Sequence, residues 1–441
     1  MLFALLKYLQ PTHYFQLYKK DGSSVFPKAD ALPEEITQQL EADNQFQSPE
    51  ARDYDLSWQA INKGYIGSAD TYRSFNTIPL EDNYHFIRKY FNKAWVYYVL
   101  LLRLLSFHNP YKEIKAFVNT RHIKRVVLGN SIIDYPKYAE YKSSLLEQNL
   151  KVSVVIPTLN RYNHLNNVLK DLEAQDYKNL EVIVVDQSEP FDASFYKNSK
   201  LDINLIRQEE KALWLARNTA IKHSQGDFIA LSEDDVRIKP DWVSSHLKCL
   251  DFFEAKVSAG VFYPEGKQIP KDRSYFSIAT QFATGNAMLY KTVFNKVGLF
   301  DRQFEKQRMG DGEFGTRIYL ESIKSVSNPV ASCIDVKANT GGLREMGSWD
   351  AFRPSNFFAP RPIPSVLYYY RRYFGNKASK YALLRTIPIS IFPYQFKKNK
   401  LLNVLGLILS IIILPLVIYQ VSKSWSLASN KIKQGPLIET H

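Results

Sequence analysis

The sequence predicts an α/β protein built on a parallel sheet, and three observations carry that prediction. Continuous apolar, β-branched runs recur between residues 152 and 235. Helical patterns fill the intervals between them, an alternation that marks a sheet covered on both faces. Carboxylates gather where the runs end, which is the edge at which parallel sheets bind ligands.

Taken in order, residues 1–50 are mixed and polar, and EEITQQLEADNQFQSPEARD (34–53) reads as a short solvated helix and loop. Residues 51–150 are aromatic-rich and hold AWVYYVLLLRLLSF (94–107), an apolar run broken by Arg103. Runs of 10–14 residues are more often interfacial or buried than spanning. The first ten residues are too short an apolar stretch for a signal peptide. No motif in 1–150 bears chemistry, so this accessory region is expected to meet acceptor, membrane or a partner subunit.

The texture changes at Lys151. VSVVIP (152–157) reads as the first strand, and Leu165, Val168, Leu169 and Leu172 form the apolar face of a helix after it. LEVIVVDQS (180–188) and INLIRQ (203–208) read as further strands, LWLARNTAIKHS (213–224) as a helix. DFIALSEDD (227–235) reads as a fourth strand that ends in three acids.

Glu233-Asp234-Asp235 repel one another unless a cation or water neutralises them, and hard oxygen donors of this kind suit Mg²⁺ or Mn²⁺. In isolation the cluster reads better as a solvated acidic loop; its place after a buried strand, with Asp186 ending another, favours function. A second cluster, GDGEFG (310–315), combines carboxylates with glycines that leave room for a substrate. Alone it is as readily an acid-decorated helix N-terminus, which the helix dipole favours.

Leu401 to Val421 carries no charge and is long enough for the ~20 residues that span a bilayer core. Lys397, Lys398 and Lys400 precede it, Lys423 follows, and Pro415 permits a bent or re-entrant helix. Upstream, VLYYYRRYF (366–374) alternates aromatics with arginine, as suits a headgroup layer. The whole chain of 441 residues has a net charge of +13, and +11 of it falls in residues 361–441. The surplus therefore points to anionic lipid and away from nucleic acid. Two cysteines exclude a disulfide framework and fit a reducing compartment. No Walker or Rossmann phosphate loop, zinc spacing or G-x-S-x-G elbow occurs.

The motifs resemble, in order, those of the family 2 glycosyltransferases, whose fold is GT-A, with a mixed, mainly parallel sheet. They are VSVVIPTLNR (152–161), EVIVVDQS (181–188), ARN (216–218), LSEDDV (231–236), PDW (240–242), TGNAMLYKTVFNKVGLFD (284–301) and GDGEFGTRI (310–318), within residues 150–345. The resemblance implies a nucleotide-sugar donor, a divalent cation and inversion at the anomeric carbon. Residue by residue, it implies donor binding by Pro157, Asp186 (the nucleobase), Arg217, Glu233 and Asp234. Asp235 matches a metal ligand, and Asp335, where many relatives carry a His, would complete the metal site. Asp311 matches the catalytic base, with Glu313 as a rival. Gly285, Asn286 and the turn Gly341-Gly342 fall on the acceptor side. Gly310 departs from the usual Glu before the base, and Glu313 from the usual Asp.

The resulting expectation is a catalytic domain over 151–345, a basic aromatic interfacial segment over 346–400, a transmembrane or re-entrant helix over 401–421 and a basic tail over 422–441. The protein would be a membrane-attached inverting enzyme at the inner (cytoplasmic) membrane, its catalytic domain facing the cytoplasm. It would pass one sugar to a lipid-linked or surface-polysaccharide acceptor, since the Q-x-x-R-W motif of processive synthases is missing. Two rivals remain: a sugar nucleotidyltransferase, whose G-x-G-T-R loop is TLNRYN here, and a catalytically silent membrane scaffold.

Overall fold

A computed structural model describes residues 1–441 apart from 281, 339–341, 343–350, 394, 395, 397 and 398. Lys397, Lys398 and Gly341 thus lie outside the described residues. Strands β1 (Val152–Thr158), β2 (Leu180–Asp186), β3 (Ile203–Arg207) and β4 (Phe228–Ser232) form where the β-branched runs predict them. They pair in parallel in the order β3-β2-β1-β4. The sheet continues through β8 (Asn286–Tyr290), β6 (Val257–Pro264), β9 (Ser325–Asp335) and β5 (Val236–Ile238), with the short β7 (Ser277–Ile278) on β9. β4 and β8 are antiparallel, so the sheet is mixed. The predicted fourth strand stops at Ser232, and the three acids form the connection from β4 to β5.

Each face of the sheet buries its own core. Val154, Ile156, Val182 and Val184 point to one, with Leu165, Val168 and Leu172 of the helix Tyr162–Glu173 against them. Val155, Ile183, Val185 and Ile229 point to the other, against the helices Leu213–His223 and Gly310–Leu320. This alternation is the period-2 side-chain rule applied to strands buried on both faces.

The N-terminal 150 residues form a helical layer with a separate core around Phe3, Phe46, Trp58 and Phe86. Its helix Pro49–Lys63 starts at Ser48, whose Oγ accepts from Ala51 N at 3.2 Å, and stops at Gly64 in the left-handed conformation, φ 104°. The layer docks on the helix Gly310–Leu320: Tyr319 Oη donates to Leu17 O at 2.9 Å, and Lys20 N to Leu320 O at 2.8 Å. The apolar run at 94–107 becomes the helix Lys93–Leu105, which buries Val96 and Val99 and leaves Tyr97, Leu101 and Leu105 exposed. Its Arg103 is neutralised by the buried Glu113, with Nε at 3.0 Å from Oε1.

The C-terminal portion differs from the expected division. The stretch 366–374 does not stand free at a headgroup layer: Val366 is buried, and Leu367, Tyr368 and Tyr369 pack into the core on the second face of the sheet. Tyr368 donates to Asp301 at 2.9 Å, and the Tyr369 and Thr316 hydroxyls lie 2.6 Å apart. Residues 435–441 are not a free tail either, because they hydrogen-bond along 299–302. Among the described residues no single helix is long and apolar enough to cross a membrane. The uncharged run is instead split between the helices Lys400–Ile412 and Leu414–Gln434, which meet at 85°.

Candidate active site

A cavity of about 410 Å³ opens at the carboxyl ends of β1 and β4. Pro157, Arg217, Glu233, Asp234, Asp235 and Asp311 all line it, with Arg161, Trp214, Thr284, Lys306, Arg308 and Gly342. The predicted donor-side and acceptor-side carboxylates therefore share one space, although Asp235 and Asp311 lie far apart in sequence.

Arg217 is the centre of its charge. The helix Leu213–His223 carries it fully buried into the cavity wall. Glu305 holds the start of that helix by accepting from Trp214 N at 3.3 Å and Leu215 N at 2.8 Å, which satisfies amides a helix leaves open. Nη1 of Arg217 donates to Thr284 O, and Nη2 lies 3.6 Å from Glu233 Oε1. Among the described residues its Nε and Nη2 have no hydrogen-bond partner. Burial lowers the Arg217 pKa, and Glu233, Asp311 and Asp234 oppose that shift. Glu233 still presents 41% of its side chain to the cavity. Burial first, then the neighbouring carboxylates, push its pKa up to about 7 against the pull of Arg217.

Arg161, to which the sequence reading gave no role, neutralises the other two acids. Its Nη1 lies 2.9 Å from Asp234 Oδ1 and 3.0 Å from Asp235 Oδ2. Asp234 also accepts from Thr158 Oγ1 at 2.8 Å, and burial raises its pKa while Arg161 lowers it. Gly342 closes over this arginine at φ 72°, donating to Leu159 O at 2.8 Å. A Cβ there would stand 2.3 Å from Arg161 Cζ, so the residue must be glycine.

The carboxylates as arranged do not form a cation site of their own. Asp235 faces Arg161 and accepts from Ala338 N at 3.3 Å, and Asp335, on β9 beside Val236 of β5, accepts from Lys337 N at 3.1 Å. Among the described residues no group of three or more His, Cys, Asp or Glu side chains is arranged to hold a metal ion. Val336 N donates to Asp235 O at 3.1 Å, which sets Asp235, just before β5, beside the end of β9 that carries Asp335. Among the described residues the two do not form the joint Mg²⁺ or Mn²⁺ site the resemblance implies.

The rival bases separate clearly. Asp311, in the first turn of the helix Gly310–Leu320, lines the cavity, accepts from Gly312 N at 2.8 Å and has its pKa raised by burial. Glu313 is fully buried against Arg317, at 3.0 Å from both oxygens to Nε, and accepts from Tyr373 Oη. It anchors the helix and is outside the cavity lining. The glycine that replaces the usual Glu at 310 has a structural cause, since a Cβ there would lie 2.4 Å from Cζ2 of Trp214. That indole is fixed by donating Nε1–H to Phe304 O at 3.0 Å. Gly310→Ala is accordingly expected to cost about 1–3 kcal/mol by overpacking, read by thermal melting; an unchanged Tm would show that the indole can give way.

Two further positions differ from their expected surroundings. Asp186 ends β2 but spends its oxygens on Tyr162 Oη at 2.8 Å, Tyr196 Oη at 2.7 Å and Ser188 N at 2.8 Å. Asn286 is buried, accepts from Trp242 Nε1 at 2.8 Å and donates to Ala331 O at 2.9 Å, which makes it a core junction. Neither lines the cavity. Gly285 does meet the acids: a Cβ there would fall 2.7 Å from Glu233 Cδ.

Fold and site together define a mixed α/β domain with a cavity at its strand ends lined by arginines and carboxylates. Residues 153–304, which hold β1 to β4 and β8 of the mixed sheet, match the family described as glycosyl transferase family 2. Over 163 residues it is 29% identical to glycosyltransferase GlyA of Streptococcus pneumoniae, covering 36% of this chain and 22% of that one. Over 119 residues it is 31% identical to the uncharacterized glycosyltransferase YfnE of Bacillus subtilis, covering 26% of this chain and 30% of that one. The chain thus spans less than a third of the length of either relative. Among solved structures, S. aureus TarS 1-349 in complex with UDP-GlcNAc aligns at a TM-score of 0.42 and 18% identity, covering 65% of this chain and 92% of that one.

Proposed function

We propose that the protein is a membrane-attached, inverting glycosyltransferase that moves a single sugar from a nucleotide-sugar donor to a lipid-linked or surface-polysaccharide acceptor. The observation that carries this reading is the buried Arg217, whose Nε and Nη2 find no hydrogen-bond partner among the described residues, in a cavity shared with Asp311 and the acid cluster. A buried, unsatisfied cation is costly and is retained where an anion binds.

In the proposed reaction the acceptor oxygen attacks the anomeric carbon as the bond from that carbon to the diphosphate oxygen breaks. The nucleoside diphosphate leaves with the bonding electrons, toward Arg217 and Arg161. Asp311 takes the acceptor proton, a role its raised pKa suits. One displacement of this kind inverts the anomeric centre. Positive side chains already in place at the leaving group lower the barrier without reorganisation. Mg²⁺ or Mn²⁺ belongs to this reading as an ion that arrives with the donor, since Arg161 and Arg217 engage the protein's own carboxylates. Nucleotide sugars are cytosolic, so the cavity would face the cytoplasm from the inner (cytoplasmic) membrane.

The competing reading, a silent scaffold, draws on Gly310 and Asp335. Gly310 loses weight as evidence because Trp214 fills the space that a side chain there would take. The test is release of UDP, GDP or dTDP from a donor panel, with lipid-linked acceptor and with Mn²⁺ present or chelated. Release from one nucleotide class supports the enzyme; no release from any donor under any of these conditions supports the scaffold.

A further inference from the structure

The geometry points to a one-leaflet attachment: the bent pair Lys400–Ile412 and Leu414–Gln434 lies in the face of an anionic phospholipid leaflet and returns to the side it left. This rests on the membrane attachment proposed above and names its form and partner. Four observations support it.

The first is length. The helix Lys400–Ile412 has 13 residues, so it reaches only ~20 Å, short of the ~30 Å hydrocarbon core, before the chain turns by 85°. The second is the helix's two faces. Gly406 and Ser410 are buried inward, and a Cβ on Gly406 would lie 2.9 Å from Pro388 O. On the opposite side Leu401, Val404, Ile408, Ile411 and Ile412 are 50–69% exposed. Their spacing is that of a single helical stripe, and water offers such a stripe nothing.

The third observation is where the excursion ends. Leu414–Gln434 packs back through Val417, Gln420, Ser424 and Ala428. Beyond it, Leu437 N donates to Asp301 Oδ1 at 2.9 Å, Arg302 N to Leu437 O at 3.1 Å and Leu299 N to Glu439 O at 2.8 Å. These bonds fix the C-terminal end of the excursion to residues 299–302. On its N-terminal side the buried Leu367, Tyr368 and Tyr369, with Tyr368 donating to Asp301, hold the chain to the same domain. A crossing would tear the C-terminal bonds apart. The fourth is charge. Between Asp350 and Glu439 the chain has no acidic residue, while Lys400 and Lys423 bracket the apolar run, a complement to anionic headgroups.

The test uses the full chain, synthesised cell-free beside preformed vesicles of equal parts phosphatidylglycerol and phosphatidylethanolamine. Cys249 and Cys333 are buried, so single cysteines can be introduced and read alone. An environment-sensitive fluorophore on Ile408→Cys is expected to shift to the blue with vesicles. Thr440→Cys and Lys142→Cys are both expected to react with an impermeant maleimide from outside. Ile408→Asp with Ile411→Asp should weaken vesicle flotation about a hundredfold. Protection of Thr440→Cys until detergent is added, with Lys142→Cys open, would overturn one-leaflet attachment yet leave a membrane enzyme. Failure to float, with no blue shift, would overturn membrane attachment itself, and nucleotide release would still report separately on catalysis.

Discussion

Asp311→Asn is expected to lower the transfer rate by roughly a thousandfold, the usual worth of a positioned general base, while leaving donor affinity unchanged. The asparagine keeps an oxygen for Gly312 N, so the start of the helix Gly310–Leu320 survives and the loss isolates the proton transfer. A base must be ionised to act. Burial moves the Asp311 pKa above its ordinary value of 3.8, so the acidic limb of the wild-type rate profile should rise with pH through that elevated value. Single-turnover transfer measured across pH, beside a donor titration, checks both statements. An Asp311→Asn enzyme working within tenfold of wild type would remove the assignment, and the buried Glu313–Arg317 pair offers no replacement in the cavity.

Arg217→Met is expected to separate stability from function. Burying a guanidinium costs several kcal/mol unless ion pairing and hydrogen bonds return it. Here one carbonyl and one carboxylate at 3.6 Å are the return, and two of the three nitrogens lack hydrogen bonds. An unbranched apolar side chain of similar length should leave Tm unchanged or raise it by a few degrees. Glu233 tolerates the loss because its side chain reaches the cavity and takes up a proton readily, its pKa already pushed up to about 7. The same change should weaken nucleoside-diphosphate binding by about a hundredfold, the worth of a desolvated charge-assisted contact. Calorimetry of the apo variant and a titration with the nucleoside diphosphate give the two readings. Normal binding with a falling Tm would make Arg217 a structural residue only.

What the sequence made legible was local. Strands β1, β2 and β4 announce themselves because strands buried on both faces are mostly apolar, whereas β3, at the sheet edge, is half exposed and carries Asn204 and Arg207. The acids at strand ends were legible from strand direction alone. What stayed hidden was set by distant chain segments. The tyrosines that occupy Asp186 belong to a helix start and a short turn after β2, and Trp242, which ties down Asn286, lies 44 residues before it. Glu313 carried a readable signal, an arginine four residues later on the same helix face. Arg161 sat inside a motif whose apolar part drew the attention, and its partners are more than 70 residues away.

Part of the positive charge of residues 361–441 is spent inside the protein. Arg372 lies 3.3 Å from Asp301, Arg371 donates to Ser429 Oγ at 2.8 Å and stacks on Trp425, and Lys431 bonds to Gln303 O at 2.6 Å. Net charge counts these inward cations with the outward ones, because summation along a chain carries no direction. Separating the two required the fold.

The central claim is that one cavity holds the donor between Arg217 and the base. Crystals of the full chain grown with a nucleotide sugar test it most directly. The account predicts diphosphate density against the Arg217 guanidinium, with the anomeric carbon turned toward Asp311 and Glu233 alongside. A donor bound elsewhere, as in the smaller pocket beside Tyr14 and Tyr319, with the Arg217 cavity empty, would contradict it.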